Sequence, residues 1–301
     1  MIHIMKKRKI WFIFSGIMVG ASLVSLGIWG LNFGIDFTGG SLMEVSFSKD
    51  VPSPDEISNL INQSKIIEGV SIQTLGDKGM ILKFRDIDEE THQKFLSNLK
   101  NNYKDNIEEQ KFDSIGPSIG EELKKKTVLA LILSVIGIII YIAWAFRQVS
   151  KPVSSWIYGV IANVALIHDV LITMGAFSIL GRFYGMEING PFIAAILTVL
   201  GYSVNDTIVI FDRIRENVSK YYKGDLEDTI NMSINQSLTR SINTSMTVIL
   251  VLFAILLLGG STIRDFALAL IIGVTVGTYS SIFLASPLLI VVDSWLKKRK
   301  K

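Results

Sequence analysis

Long apolar runs dominate the chain. Six stretches, 10–31, 127–146, 153–180, 188–211, 241–260 and 266–292, are almost wholly apolar. Each holds the roughly 20 residues that a helix rising ~1.5 Å per residue needs to cross about 30 Å of hydrocarbon. The third carries only His168 and Asp169 as ionisable groups, the fourth only Asp206, and the other four carry no charge. A core helix of a soluble domain would be shorter and polar along one face. The pattern predicts six membrane-spanning helices. The first run exceeds the roughly 7–15 apolar residues of a secretory signal, so it is expected to be a retained anchor.

Between the first two runs the pattern changes. Positions 41–48 alternate and predict a strand. Residues 53–64 open with Ser53-Pro54-Asp55-Glu56, a helix start. Strands at 71–75 and 80–85 flank Gly76-Asp77-Lys78-Gly79, a hairpin signal. Residues 88–103 are polar with Phe95, Leu96 and Leu99 on one side and predict a helix; 108–115 predict a last strand. The order βαββαβ is that of a ferredoxin-like plait. Such a plait supports no activity by itself, and His92, on its polar helix, is expected in solvent. The expected fold class is therefore a polytopic α-helical membrane protein. Span one lies in 1–31, an α+β ferredoxin-like domain in 32–124, and spans two to six in 125–301, with a loop at 213–240 and a basic tail at 294–301.

Charge orients this arrangement. Lys6, Lys7, Arg8 and Lys9 precede span one, Arg147 and Lys151 separate spans two and three, Arg213, Arg215, Lys220, Lys223 and Arg240 separate spans four and five, and Lys297, Lys298, Arg299, Lys300 and Lys301 end the chain. The positive-inside rule then puts both termini and these loops in the cytoplasm, and the 32–124 domain outside. That domain is net acidic and the remainder net basic, an asymmetry the overall +3 conceals. The basic excess reads as orientation and as contact with anionic membrane lipids. No basic face with interleaved aromatics suggests nucleic acid as a partner. With no cysteine there is neither a disulfide framework nor a thiolate metal site. No metal-ligand cluster, catalytic constellation or nucleotide-binding glycine loop is visible, so neither an enzyme nor a bound cofactor is expected.

Intramembrane carboxylates cost at least about 2.5–3.5 kcal/mol at a helix centre and persist where they face other helices or water. Asp206 lies among small and polar residues, Gly201-Tyr-Ser-Val-Asn-Asp-Thr207, inside an apolar span. A carboxylate alternating between dry and hydrated surroundings can carry a proton. Asn205 belongs to the same cluster, Asp169 is a second candidate, and Arg240 is the nearest cation in sequence. His168 and Asp169 point about 100° apart around their helix, so they are not expected on one face. Asp169 is placed in the outer half of the membrane and Asp206 in the inner half, touching only if span four continues past Phe211. Gly16-x3-Gly20 and Gly273-x3-Gly277 allow close helix packing, within the chain or against a partner. Residues 225–241, polar with spaced apolar positions, are expected as a helix on the membrane surface.

Five motifs, in order, resemble those of the smaller subunit family of the bacterial SecD–SecF protein-export complex, the SecF family. They are Gly34-Ile-Asp-Phe-Thr-Gly-Gly40, Ile115-Gly-Pro-Ser-Ile-Gly-Glu121, His168-Asp169, Gly201-Tyr-Ser-Val-Asn-Asp-Thr207 running into Phe211-Asp-Arg-Ile-Arg-Glu-Asn217, and Asn235-Gln-Ser-Leu-Thr-Arg-Ser-Ile-Asn-Thr-Ser245. The resemblance covers nearly the whole chain. It implies a fold related to the resistance-nodulation-division (RND) exporters and a place in the bacterial cytoplasmic membrane. It implies pairing with SecD and association with the SecYEG translocon, with YajC and YidC as further candidates and a translocating preprotein as the object moved. It implies late-stage translocation driven by the proton motive force, with protons as the only coupling species. It places Asp206 and Arg240 on the proton route. Gly34, Asp36, Gly39, Gly40, Gly116, Pro117, Gly201, Asp212 and Arg213 then belong to family motifs, the first glycines shaping the turn out of span one; Asp36 has no assigned chemistry. Two other classes remain: a proton-coupled half-transporter for a small molecule or lipid, and a translocon scaffold that moves no proton.

Overall fold

The computed structural model describes residues 3–67, 69–145, 154–221 and 225–299. Arg147, Lys151, Lys223, Lys300 and Lys301, part of the charge argument above, lie outside them. The chain divides into two units, one formed by Met1–Asn32 with Leu129–Lys301 and the other by Phe33–Val128.

The first unit begins with α1 (Arg8–Trp29), preceded by a single 3-10 turn. The second unit contains α2 (Ile35–Thr38), β1 (Gly40–Phe47), α3 (Pro54–Ser64), β2 (Ser71–Leu75), β3 (Gly79–Phe84), α4 (Glu89–Tyr103) and β4 (Ile107–Ile115). Its strands form one antiparallel sheet in the order β2-β3-β1-β4, the split βαβ arrangement expected of a ferredoxin-like plait. Ser53 caps α3 through Glu56 N–H, with Pro54 at the first helical position, where its missing N–H costs nothing. Alternating β1 and β3 side chains bury Met43, Val45, Phe47, Met80 and Leu82 against Ile57, Ile61, Phe95 and Leu99 of the two helices. His92 is not in solvent. It is 5% exposed, stacked on Phe112, with Nε2 2.9 Å from Glu109 and Nδ1 3.2 Å from Glu89. The α4 stripe is wider than its three apolar residues, because an imidazole between carboxylates satisfies its polar atoms while its ring packs. Hydrogen bonds from Gln93 and then from His92 hold the exposed Glu89 carboxyl below the ordinary carboxylate range.

The glycine motif lies at the base of this sheet. Gly39 and Gly40 adopt φ of +73° and +128°, and a Cβ on Gly39 would lie 2.7 Å from the Pro117 Cα. Gly40 pairs with Ile115 at the end of β4. Gly34 sits in ordinary extended backbone before α2. The first two motifs are thus one packed joint, which requires glycine at 39 and 40.

The remaining elements are α5 (Pro117–Ala145), α6 (Ser155–Tyr184), α7 (Gly190–Tyr221), α8 (Leu226–Leu258), α9 (Ser261–Ser280), a π-helical segment (Ser281–Ala285) and α10 (Ser286–Arg299). Among the described residues six helical spans are long and apolar enough to cross a membrane, the last running from Ile263 to Arg299 through the π segment. The broad apolar exposure of α1, α5 and α8 suits hydrocarbon surroundings. The predicted loop at 213–240 is instead the continuation of α7 and the start of α8. The expected surface helix at 225–241 is the first half of α8, and Leu226, Ile230 and Ile234 belong to the bundle core. Buried Asn231 accepts the Ile4 N–H at 3.0 Å, so polar positions that suggested a surface face hold the N-terminal segment.

Small residues set the helix spacing. A Cβ on Gly175 of α6 would clash with Ser22 of α1 at 2.3 Å, one on Gly273 of α9 with Val199 of α7 at 2.2 Å, and one on Gly277 with Ser203 at 2.9 Å. Gly273-x3-Gly277 therefore packs within the chain, whereas Gly16 and Gly20 have nothing within 4 Å. Gly273→Ala is expected to lower the thermal unfolding midpoint in detergent by the equivalent of about 1–3 kcal/mol, the typical cost of overpacking. Gly16→Ala should leave it unchanged or higher. Equal midpoints for the two variants would contradict this packing.

Candidate functional site

The close α7–α9 approach places a polar seam inside the bundle. Asp206 on α7 is 8% exposed. One carboxylate oxygen accepts from the Ser241 hydroxyl of α8. The other accepts from Ser281, the first residue of the π segment, at 2.5 Å. Asp169 on α6 is wholly buried. Its Oδ2 accepts from Ser203 of α7 at 2.5 Å and from Ser280 of α9 at 2.8 Å, and its Oδ1 lies 2.9 Å from His168 Nδ1. No hydrogen bond joins the two carboxylates, yet consecutive serines, 280 and 281, hold one each. Their connection therefore runs through the sixth span and does not depend on how far α7 continues past Phe211.

His168 and Asp169 do meet, contrary to the helical-wheel expectation. Adjacent Cβ atoms diverge, but χ rotation brings the imidazole nitrogen back to the neighbouring carboxylate. His168 Nε2 is buried without a partner in the structure.

The π segment follows from Pro287. Proline has no N–H to donate and its ring clashes with the carbonyl four residues earlier, at Phe283, so the preceding turn widens. The Ser286 hydroxyl donates to the Ser281 carbonyl at 2.8 Å and satisfies it. Such single-turn widenings recur at functional sites. Further hydroxyls extend the seam: Tyr202 donates to Ser245 at 3.1 Å, and Ser245 lies 2.6 Å from Thr278.

Hydroxyl partners give this seam its chemical character. Serine can donate to a carboxylate or, after rotation, accept from a carboxylic acid. Lysine or arginine could only donate. The seam can satisfy either protonation state of Asp206 without breaking an ion pair.

Arg240 and Asn205 are not in direct contact with Asp206. Both are exposed. Arg240 precedes Ser241 and lines a polar groove of about 260 Å³ with Val209, Asp212, Arg213, Glu216 and Gln236. Those α7 residues follow Asp206 at helical spacing on the same face, Val209 one turn away, and Asp206 itself does not line the groove. Within it Arg213 bonds Glu216 at 2.5 Å and Gln236 at 2.7 Å, while Asp212 pairs with Arg215 at 2.7 Å. Arg240 makes no ion pair among the described residues. Gly201 faces open space, with nothing within 4 Å. No group of three or more His, Cys, Asp or Glu able to hold a metal occurs among the described residues. Ser280, Ser281 and Ser241 were missed as site residues, since an isolated serine in an apolar run looks neutral. The available signal was Gly273, Gly277 and Ser281 at four-residue spacing just before Pro287.

Six apolar helices around an ionisable, hydroxyl-lined interior define a multi-pass membrane protein. Residues 94–295 match the family described as protein export membrane protein SecD/SecF, C-terminal, and residues 24–51 match the SecD/SecF GG motif. A protein translocase subunit SecF from Anaerolinea thermophila is 41% identical over 100% of this chain and 99% of its own length. One from Vibrio alginolyticus is 38% identical over 95% of this chain and 88% of its own. The crystal structure of SecDF, a translocon-associated membrane protein from Thermus thermophilus, superposes with a TM-score of 0.82 at 32% identity, covering 96% of this chain. This chain spans 38% of that longer one. The chain belongs to the SecD/SecF family of protein export membrane proteins.

Removing the Ser281 hydroxyl deprives Asp206 of one of its two donors. Ser281→Ala is expected to lower stability in detergent by about 1–3 kcal/mol, with Ser281→Thr restoring most of it. Thermal unfolding of both variants checks this; an unchanged Ser281→Ala midpoint would contradict the assigned bond.

Proposed function

We propose that this chain serves the Sec translocon as a translocase subunit in the bacterial cytoplasmic membrane. In this reading it pairs with a SecD-type partner and uses the proton gradient to draw preproteins through the late stage of crossing. Near full-length likeness to proteins named translocase subunit SecF supports the translocase role. The observation that carries the proton coupling is Asp206, buried among hydroxyls one helical turn before Val209, which lines a polar groove.

The cycle has two parts. In one arrangement of the helices, water reaches Asp206 from the membrane side opposite the groove and the carboxylate takes a proton. In a second, Asp206 opens to the groove lined by Arg240, and the proton leaves. Arg240 favours the release because its charge stabilises an ionised carboxylate as the two approach. The Ser280–Ser281 pair lets Asp169 respond to the same movement. The basic residues at both termini and between α7 and α8 support a cytoplasmic side for these segments. The relation to RND exporters that the family resemblance implies agrees with helix rearrangement as the coupling step.

Asp206→Asn tests this with the SecD-type partner and SecYEG reconstituted in vesicles. The variant is expected to assemble normally and to lose the part of preprotein export that depends on an imposed proton gradient. Wild-type gradient dependence in the variant would leave a scaffold role. Intact proton flux without capture of SecD or SecYEG subunits would indicate a half-transporter for a small molecule or lipid.

A further inference from the structure

A second cavity, of about 560 Å³, lies where α1 begins, between the N-terminal segment, the first half of α8 and the π segment. Its size falls in the range of ligand pockets. Trp11, Leu238, Ile242, Ile282 and Phe283 make its walls apolar, and His3 and Lys7 stand among its lining residues. Both are exposed.

Two features there have no partner among the described residues. The Trp11 indole Nε1–H is buried with no hydrogen-bond acceptor, although buried indole N–H groups ordinarily find one. Lys7 carries a charge that no carboxylate meets among the described residues, because neighbouring Glu227 is taken by Arg8 at 2.6 Å. An apolar cleft at the end of a span, cationic at its mouth, is matched by a molecule with an acyl chain and a negative headgroup. A peptide would bring backbone donors and acceptors that these walls cannot satisfy.

We propose that this cavity is a binding site for one anionic phospholipid. Its acyl chain lies along Leu238, Ile242 and Phe283, and its phosphate faces Lys7. The inner wall continues through Thr278 and Tyr279, the two residues before the serines that hold both carboxylates. A lipid seated here therefore packs against the backbone that fixes the polar seam. The proposal rests on the cavity alone and is independent of proton coupling.

The test uses the full chain with Trp11 as its sole tryptophan, Trp29, Trp144, Trp156 and Trp295 being replaced by Phe. The protein is reconstituted in phosphatidylcholine vesicles carrying equal small fractions of either brominated phosphatidylglycerol or brominated phosphatidylcholine. Trp11 fluorescence is expected to be quenched preferentially by the anionic lipid, with roughly fivefold selectivity, about the worth of one lysine at an anionic surface. Lys7→Gln should abolish the preference, the double variant Lys6→Gln/Lys9→Gln should keep it, and Ile242→Phe should reduce quenching by both lipids. Native mass spectrometry of the unaltered chain should retain one phosphatidylglycerol. Equal quenching by the two lipids, a preference indifferent to Lys7→Gln, or equal retention of phosphatidylcholine would overturn the proposal.

Discussion

The close approach of α9 to α7 is the constraint on which the interior depends. Gly273 and Gly277 leave no room for a side chain against Val199 and Ser203. At that spacing the next turn of the same face presents Ser280 and Ser281 to carboxylates on two different helices. A larger residue at either glycine would part the helices by more than a hydroxyl can span. Buried carboxylates without donors would then face hydrocarbon, where each unmet polar group costs several kcal/mol. The glycines thus act through distance, and the serines convert that distance into hydrogen bonds.

Pro287 adds the second half of the arrangement. It widens the helix just after Ser280, where consecutive serines point to different neighbours, 280 to Asp169 of α6 and 281 to Asp206 of α7. One span thereby holds two acids whose own helices do not bond them to each other. Movement of the sixth span relative to α7 would be felt at Asp169 and Asp206 together. This physical link accompanies the proposed alternation in access, and it requires no ion pair to break.

Much of this was legible in the sequence, for reasons that differ by region. The six spans follow from hydrocarbon thickness, and the plait from two periodicities with a Gly-Asp-Lys-Gly turn. Asp206 stood out because a charge in an apolar run is expensive. Less visible were positions where polar atoms are satisfied by distant partners. His92 looked solvated because Glu109, its partner, lies on a strand 17 positions away. The start of α8 looked like a surface helix because Asn231, Ser233 and Ser237 are polar, yet all three are buried. The His168–Asp169 contact escaped a helical wheel, which describes Cβ directions and not the reach of an imidazole. Arg240 was named only as the nearest cation in sequence, and the groove it lines with α7 residues depends on the packing of two helices.

The central claim is that Asp206 gains and loses a proton inside the bundle. Infrared difference spectra of the reconstituted chain, recorded across a pH titration, report the carboxylic-acid carbonyl stretch directly. The account predicts a titrating band that disappears in Asp206→Asn and shifts in Ser281→Ala, which removes a hydrogen bond from the same group. A spectrum with no titrating carboxyl band, or one indifferent to Asp206→Asn, would contradict it.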